Sequence, residues 1–335
     1  MRRHWAFYLR FYWAFEVDDF LGSHHFGAVE KKARVVIIAG PTASGKSSLA
    51  VELAGRFHGE IVNIDSMQVY RRMDIGTAKP TLEERRAIPH HLIDVVDPDE
   101  EFNAAIYRSM AVPKILAINS RPNVCLVVGG TGLYIRALTG GLLACPPVDL
   151  PLRKELRRAC EDHGSEYLHK RLEVLDPETS RRIHPHDKVR VMRALEIITL
   201  MNEPLSKVVQ RHAFQERPFQ VLKFYLQTGR DELYHAIDER SRLMVEKGLV
   251  QETESLLNRG YSPELKSMKS LGYRHAVGYL TGRWSLDEML RRLQRDTRRY
   301  AKRQLTWFRA DPEAIWVQPR QTEEFVERIT AFLTS

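Results

Sequence analysis

Residues 34–47 read RVVIIAGPTASGKS, and the fold follows from how this stretch is parsed. Arg34 to Ala39 is a β-branched run without polar alternation, the pattern of a strand buried on both faces of a parallel sheet. Gly40-Pro41-Thr42-Ala43-Ser44-Gly45-Lys46-Ser47 fits G-x-x-x-x-G-K-[ST]. The glycines let the backbone curl so that several N–H groups converge on one anion. Ser48 to Phe57 is predicted as the helix whose N-terminus adds partial positive charge. Lys46 supplies a full charge to a terminal phosphate, and the Ser47 hydroxyl is the candidate Mg²⁺ ligand. The loop therefore predicts a diphosphate or triphosphate held with Mg²⁺, and does not choose a nucleotide.

Glu60 to Ile64 (EIVNI) and Asn123 to Val128 (NVCLVV) repeat the strand texture, with helical segments between. The fold class is therefore α/β, a P-loop NTPase-like parallel sheet core. After about Pro146-Pro147 the texture changes. Leu152, Leu156 and Ala159, then Val191, Ala194, Leu195 and Ile198, recur at helical spacing. Stop signals at Gly164, Asp176-Pro177, His184-Pro185 and Glu203-Pro204 cut the stretch into short helices, an all-helical insertion domain. Strand texture returns at Gln220 to Leu226, helices dominate from Asp231 to about Arg309, and a strand at Ala314 to Val317 precedes a last amphipathic helix. The expected division is a poorly ordered extension at 1–30, the first part of the core at 31–146, the insertion at 147–212, and core completion with basic C-terminal helices at 213–335.

The composition sets outer bounds. With 335 residues, 43% hydrophobic and 28% charged, the chain can bury a large core, which excludes wholesale disorder. Lys and Arg exceed Asp and Glu by 51 to 43, a net +8, which hints at a polyanionic partner. Cys125, Cys145 and Cys160 lie too far apart for a C-x-x-C pair, so neither a disulfide framework nor a zinc site is expected. No stretch of about 20 apolar residues predicts a membrane span. The aromatic-rich first 30 residues are broken by Arg10, Glu16, Asp18 and Asp19 and do not read as a signal peptide. A cytoplasmic protein is expected, and nothing demands more than a monomer.

Asp65 directly follows EIVNI, and open parallel sheets bind ligands beyond the carboxyl ends of their strands. A carboxylate there can orient Mg²⁺, accept a proton from a nucleophile, or merely cap a turn. NVCLVV runs into Gly129, where a nucleotide hydrolase often carries a Mg²⁺-supporting aspartate. Asp94, after His90-His91-Leu92-Ile93, is another candidate on a less convincing strand. His90, His91, His184 and His186 show no metal-ligand spacing with acids and read as structural or as phosphate contacts.

GPTASGKS, DSMQVYR (Asp65 to Arg71), MDIGTAKP (Met73 to Pro80), HHLIDV, VGGTGLYIRAL (Val128 to Leu138), RIHPHDKVRVMRALE (Arg182 to Glu196), SLGYR (Ser270 to Arg274) and TRRYAKRQLTWFR (Thr297 to Arg309) occur in this order. Together they resemble the tRNA dimethylallyltransferases, also called tRNA isopentenyltransferases, of bacterial type. The resemblance spans Val35 to about Trp316. It implies transfer of a dimethylallyl group from dimethylallyl diphosphate to N6 of adenosine 37, 3′-adjacent to the anticodon, in tRNAs reading codons that start with U. Diphosphate leaves.

By the same resemblance, Asp65, Thr42 and Arg230 are the catalytic candidates, with Asp65 as general base and Arg230 near the diphosphate. Gly40 to Ser47 hold the diphosphate and Ser47 the Mg²⁺. The tRNA contacts implied are Asp65, Ser66, Met67, Gln68, Thr131, Arg153, Val189, Arg190, Val191, Met192, Arg193, Lys269, Ser270, Leu271, Gly272, Tyr273, Arg274, Lys302, Arg303, Gln304 and Arg309. The partners are the tRNA anticodon stem-loop and dimethylallyl diphosphate, with no membrane.

Charge places the RNA more closely. Arg283 to Arg309 holds nine Lys or Arg against three acids, whereas Pro147 to His212 holds thirteen against eleven. The late helices are thus the expected phosphate-neutralising surface. Tyr300, Trp307 and Phe308 are interleaved there; for Trp307 and Phe308 a core position is the favoured reading. The rival functions are a P-loop small-metabolite kinase, which leaves GGTGLY and the basic block idle, and an ATP-dependent RNA-binding switch.

Overall fold

A computed structural model describes residues 32–143, 145–212 and 216–335. The extension at 1–30 lies outside the described residues. At the centre is β1 (Arg34–Ala39), whose residues 35–39 are fully buried, as a strand covered on both faces requires. It lies in a six-stranded parallel sheet, in the order β3 (His90–His91), β2 (Glu60–Asn63), β4 (Cys125–Gly129), β1, β5 (Gln220–Leu226), β6 (Ile315–Val317). The register pairs Ala39 with both Gly129 and Tyr225. Three strands therefore end level, and the loops after them meet at one edge.

The crossovers cover both faces. Helices α1 (Lys46–Arg56) and, at the far end of the chain, α14 (Thr322–Thr334) bury one face around Leu53, Phe224, Phe325 and Ile329. The short α2 (Leu82–Ala87) starts at a Thr81–Glu84 capping box. Helices α3 (Ala104–Asn119) and α4 (Gly132–Gly140) bury the other face around Tyr107, Ile115, Tyr134 and Leu138.

Helices α5 (Leu150–His163), α6 (Ser165–Leu175), α7 (Pro177–Arg182), α8 (Lys188–Met201) and α9 (Leu205–His212) follow without a strand. They gather around Leu156, Cys160, Leu168, Leu172, Val191, Ala194 and Leu195. Their breaks coincide with the stop signals. Buried Asp176 caps α7 through Thr179 N–H (3.0 Å) and accepts Ser206 N–H (2.8 Å), which ties α7 to α9.

After β5 come α10 (Arg230–Glu246), α11 (Leu249–Asn258), α12 (Tyr273–Leu280) and α13 (Leu286–Phe308). α13 has 23 residues, about 34 Å at 1.5 Å per residue. It is capped by the Ser285 side chain on Glu288 N–H. Among the described residues no helix is long and apolar enough to cross a membrane.

The structure adds two details to the strand reading. β2 ends at Asn63, whose side chain holds the turn that follows by donating to Leu92 O (3.0 Å) and accepting Asp65 N–H (3.1 Å). His90 and His91 form a strand too short to announce itself, pairing with Ile61 and Val62.

Candidate active site

The loop from Gly40 to Ser47 lies where β1 ends. Ala43 and Gly45 take positive φ (64° and 81°), so the chain curls back onto the start of α1. The N–H groups of Ala43, Gly45, Lys46 and Ser47 have no protein acceptor among the described residues. They form the anion cradle expected at a helix N-terminus. Lys46 Nζ donates to Pro41 O (2.7 Å), which holds the ammonium over the loop. Thr42, Lys46 and Ser47 line a pocket, whereas Ser44 is buried beneath the loop.

Across the pocket, Asp65 shapes its own turn. Its Oδ1 accepts Met67 N–H (2.8 Å) and Gln68 N–H (3.4 Å), while Oδ2 has no partner among the described residues. Thr131 Oγ1 accepts Ser66 N–H (3.1 Å), so the loop after β4 supports the turn after β2. Asp65, Gln68, Gly129 and Gly130 line the same pocket as Lys46.

Two cations meet there. Lys46 is pushed down to about 7, first by burial and then by Arg240, against the opposing pull of Asp65. Arg240, three turns along α10, also lines the pocket and has no carboxylate within ion-pair distance among the described residues. Arg230, the arginine expected near the diphosphate, is instead exposed, its guanidinium over the Tyr234 ring at 5.3 Å and outside the pocket lining. Position along the helix explains the difference: Arg230 is the first residue of α10, whereas Arg240 lies ten residues on, beside buried Ile237 and Ser241. A cation beside a buried stripe was the signal available in the sequence.

Helix α13 braces the cradle. Thr42 N–H donates to Gln304 Oε1 (2.8 Å), and Gln304 Nε2 donates to Gly130 O (2.8 Å). A Cβ on Gly130 would lie 2.3 Å from that Nε2, and one on Gly132 would lie 2.1 Å from the Trp307 ring. The glycines of GGTG are therefore the surface on which α13 closes. Gln304, expected to touch RNA, is a buried brace of the phosphate loop.

On the other side of Gly132 lies a cavity of about 1100 Å³ lined by Arg136, Arg190, Lys302, Arg303 and Trp307 among others. Arg190 comes from the insertion and Lys302 and Arg303 from α13, so two of the expected RNA-contacting blocks meet. Lys302 and Arg303 have no carboxylate partner within 4 Å among the described residues; Arg303 lies 5.7 Å above the Tyr300 ring. Phe308 is fully buried as expected, but Trp307 is 41% exposed and faces this cavity, against the core reading.

Other expected RNA contacts are placed differently. Val191 and Tyr273 are fully buried, so their side chains cannot reach RNA. Arg153 and Arg193 share Glu196 Oε2 at 2.8 Å each, with Glu196 1% exposed. Arg193 also donates to Pro146 O (3.2 Å), which fastens the root of the insertion. Arg274 pairs with Asp296 (2.7 Å) and Lys269 with Glu264 (2.6 Å). Ser270 donates to Ser267 O, and Gly272 N–H donates to His275 Nδ1. Leu271 and Met192 are half-buried; Val189 and Arg309 are exposed. Asp94, the alternative Mg²⁺ support, is engaged by Lys79 and Arg85 at 2.6 Å each. His91 Nε2 bonds Glu60 (2.7 Å), and His90 Nδ1 bonds Ile88 O (2.7 Å).

A parallel sheet with its anion loop after β1 and a carboxylate after β2 defines a P-loop-type enzyme acting on a phosphorylated substrate. The chain belongs to the IPP transferase family. The family model described as IPP transferase matches residues 68–311, and one described as isopentenyl transferase matches residues 33–94. The chain is 50% identical to a tRNA dimethylallyltransferase of Geobacter metallireducens over 304 residues, 90% of this chain and 98% of the relative. A tRNA isopentenylpyrophosphate transferase of Bacillus halodurans superposes with TM-score 0.67 at 39% identity, covering 90% of this chain and 96% of that one. A eukaryotic dimethylallyltransferase acting on tRNA gives TM-score 0.71 at 29% identity, covering 85% and 74%.

Proposed function

We propose that the protein transfers a dimethylallyl group from dimethylallyl diphosphate to N6 of adenosine 37 in tRNAs reading codons that start with U. The observation that carries this reading is the shared wall. One helix, α13, braces the phosphate loop through Gln304 and lines the basic cavity through Lys302, Arg303 and Trp307. A diphosphate ester and an RNA loop can thus be held on either side of GGTG with the carboxylate of Asp65 between them.

The chemistry follows from the groups present. The amine of adenine is a poor nucleophile because its lone pair is delocalised into the ring. As N6 attacks the allylic carbon, the carbon–oxygen bond breaks, its electrons go to the leaving diphosphate, and the N6 proton passes to Asp65 Oδ2. Lys46, Arg240 and the free N–H groups of the cradle stabilise the negative charge that develops. Thr42, lining the pocket, orients the ester. Mg²⁺, when bound, would be held by the Ser47 hydroxyl, which lines the pocket, together with oxygens of the substrate diphosphate. Bound Mg²⁺ would supply charge neutralisation. The RNA enters by the cavity, where Arg190, Lys302 and Arg303 meet backbone phosphates of the anticodon stem-loop.

Incubation with radiolabelled dimethylallyl diphosphate, Mg²⁺ and unmodified tRNA should place label in the RNA. No label with any tRNA, alongside steady ATP turnover, would refute the reading in favour of a kinase or RNA switch. Asp65→Asn should lower transfer by about 10³-fold while tRNA affinity stays within a few-fold. Collapsed tRNA binding with a normal single-turnover rate would remove Asp65 as the base.

A further inference from the structure

The pocket beside the phosphate loop does not end at Lys46. It continues along α1 to Ala50, one helical turn and about 6 Å further on. There it runs over the apolar side chains of Ile61, Pro80, Ile93 and Val128. The polar group set among them is His90, and the sheet register puts it there. His90 pairs with Ile61 in the parallel ladder of β2 and β3. Paired residues point to the same face, so His90 shares with Ile61 the face on which Leu49, Ala50 and Leu53 of α1 pack. His91, one residue on, turns to the other face and meets Glu60.

The state of the His90 ring follows from its hydrogen bond to Ile88. Nδ1 lies 2.7 Å from Ile88 O. A carbonyl oxygen only accepts, so Nδ1 carries the proton and Nε2 presents a lone pair. Burial holds the ring below the usual imidazole range, which keeps it neutral near pH 7. Nε2 has no protein partner among the described residues. An apolar arm that starts at the phosphate loop suits the carbon chain of an allylic diphosphate, and an acceptor along it suits a hydroxyl on that chain. We infer that the site takes a second donor, a five-carbon allylic diphosphate hydroxylated on the terminal carbon trans to C1, with His90 Nε2 accepting its hydroxyl. The inference deepens the proposed transfer and rests on it. The bonds exchanged are the same: N6 bonds to C1, the C1–oxygen bond gives its electron pair to the leaving diphosphate, and the N6 proton passes to Asp65. The hydroxyl is carried over intact, so no oxidant is needed. Without the acceptor that hydroxyl would lie unpaired among apolar side chains, which is costly.

The test supplies dimethylallyl diphosphate or (E)-4-hydroxy-3-methylbut-2-enyl diphosphate to the wild-type protein with Mg²⁺ and unmodified tRNA, and reads the modified nucleosides by mass spectrometry. The wild-type kcat/KM for the hydroxylated donor should lie within about tenfold of that for dimethylallyl diphosphate. In His90→Leu, which keeps an apolar body and removes the acceptor, the ratio should fall to about 1:100, the discrimination an apolar pocket makes against one added hydroxyl. A general loss of activity cancels in this ratio, so a merely structural role would not move it. The (Z)-isomer, with its hydroxyl on the other terminal carbon, should serve the wild type at least about tenfold less well than the (E)-isomer. The wild-type ratio and the isomer comparison need no variant. A wild type that disfavours the (E)-donor by more than about tenfold, equal use of the two isomers, or a ratio that His90→Leu leaves unchanged would overturn the second donor alone, provided dimethylallyl transfer proceeds. A wild type that transfers neither chain to tRNA would overturn the proposed function, and this inference with it.

Discussion

The cations of the phosphate pocket and those of the helical insertion have opposite fates. Lys46 and Arg240 face the same pocket without a carboxylate in ion-pair contact; burial lowers both, and Arg240 lowers Lys46 further. Arg153 and Arg193 converge on one oxygen of Glu196, each held in an ion pair at 2.8 Å. Burial alone would raise the Glu196 carboxyl, but hydrogen bonds from Arg193 and Arg153 hold it low. The same residue type is a waiting binding group in one place and a finished structural joint in the other. Counting charges along the chain cannot distinguish the two; the partner decides.

The strongest challenge to this contrast is at α10. Arg240→Met should weaken binding of inorganic diphosphate by about 10- to 100-fold, because a charge-assisted contact is lost in a partly desolvated site. Arg230→Met should cost less than about threefold by the same calorimetric titration, its charge being exposed over Tyr234. Reversed magnitudes would return the diphosphate contact to Arg230.

A second way to sharpen it is protonation. Lys46 in the free enzyme titrates at about 7, and a bound diphosphate favours its charged form and raises that value. Affinity carried by Lys46 is then level below about 7 and declines by up to tenfold per pH unit above it, with proton uptake on binding. At pH 8 the buffer dependence of the binding enthalpy should show about one more proton taken up by the wild type than by Lys46→Met. Equal uptake would mean that Lys46 is already charged when empty.

Within α13 the contrast recurs on a smaller scale. Arg298 pairs with Asp238 and Arg299 lies 3.6 Å from Asp296, whereas Lys302 and Arg303 have no acid partner among the described residues. Replacing Lys302 and Arg303 by Met should lower the salt dependence of tRNA binding by about 0.7–0.9 per residue, and replacing Arg298 and Arg299 by distinctly less. Equal slopes would show that pairing does not govern which cations meet RNA. The smallest effect is expected at Glu196→Gln. Loss of the shared carboxylate should reduce stability by about 1–2 kcal/mol, read from chemical denaturation. An unchanged midpoint would make the joint incidental.

The strand–loop–helix unit was legible because all its signals are local. The β-branched run, the glycine spacing and Lys46 lie within one short stretch, and backbone preferences act over such distances. The helix breaks of the insertion were legible for the same reason. Gln304 and Trp307 were misread: a polar residue in a basic helix reads as a surface group, and an aromatic one as core. Only the bare Cα atoms of Gly130 and Gly132, more than 170 residues earlier, explain why α13 closes on them as it does.

By itself, then, the sequence determined the parallel sheet, the anion loop at its edge, the aspartate after β2 and, through its ordered blocks, the family. Tertiary structure alone decided which charges are available. It turned Arg240 into the pocket and Arg230 out of it, and gave Arg153 and Arg193 to Glu196. The reason is physical: backbone geometry is largely fixed by near neighbours. The electrostatic state of a side chain depends on whatever long-range packing puts within a few ångströms of it.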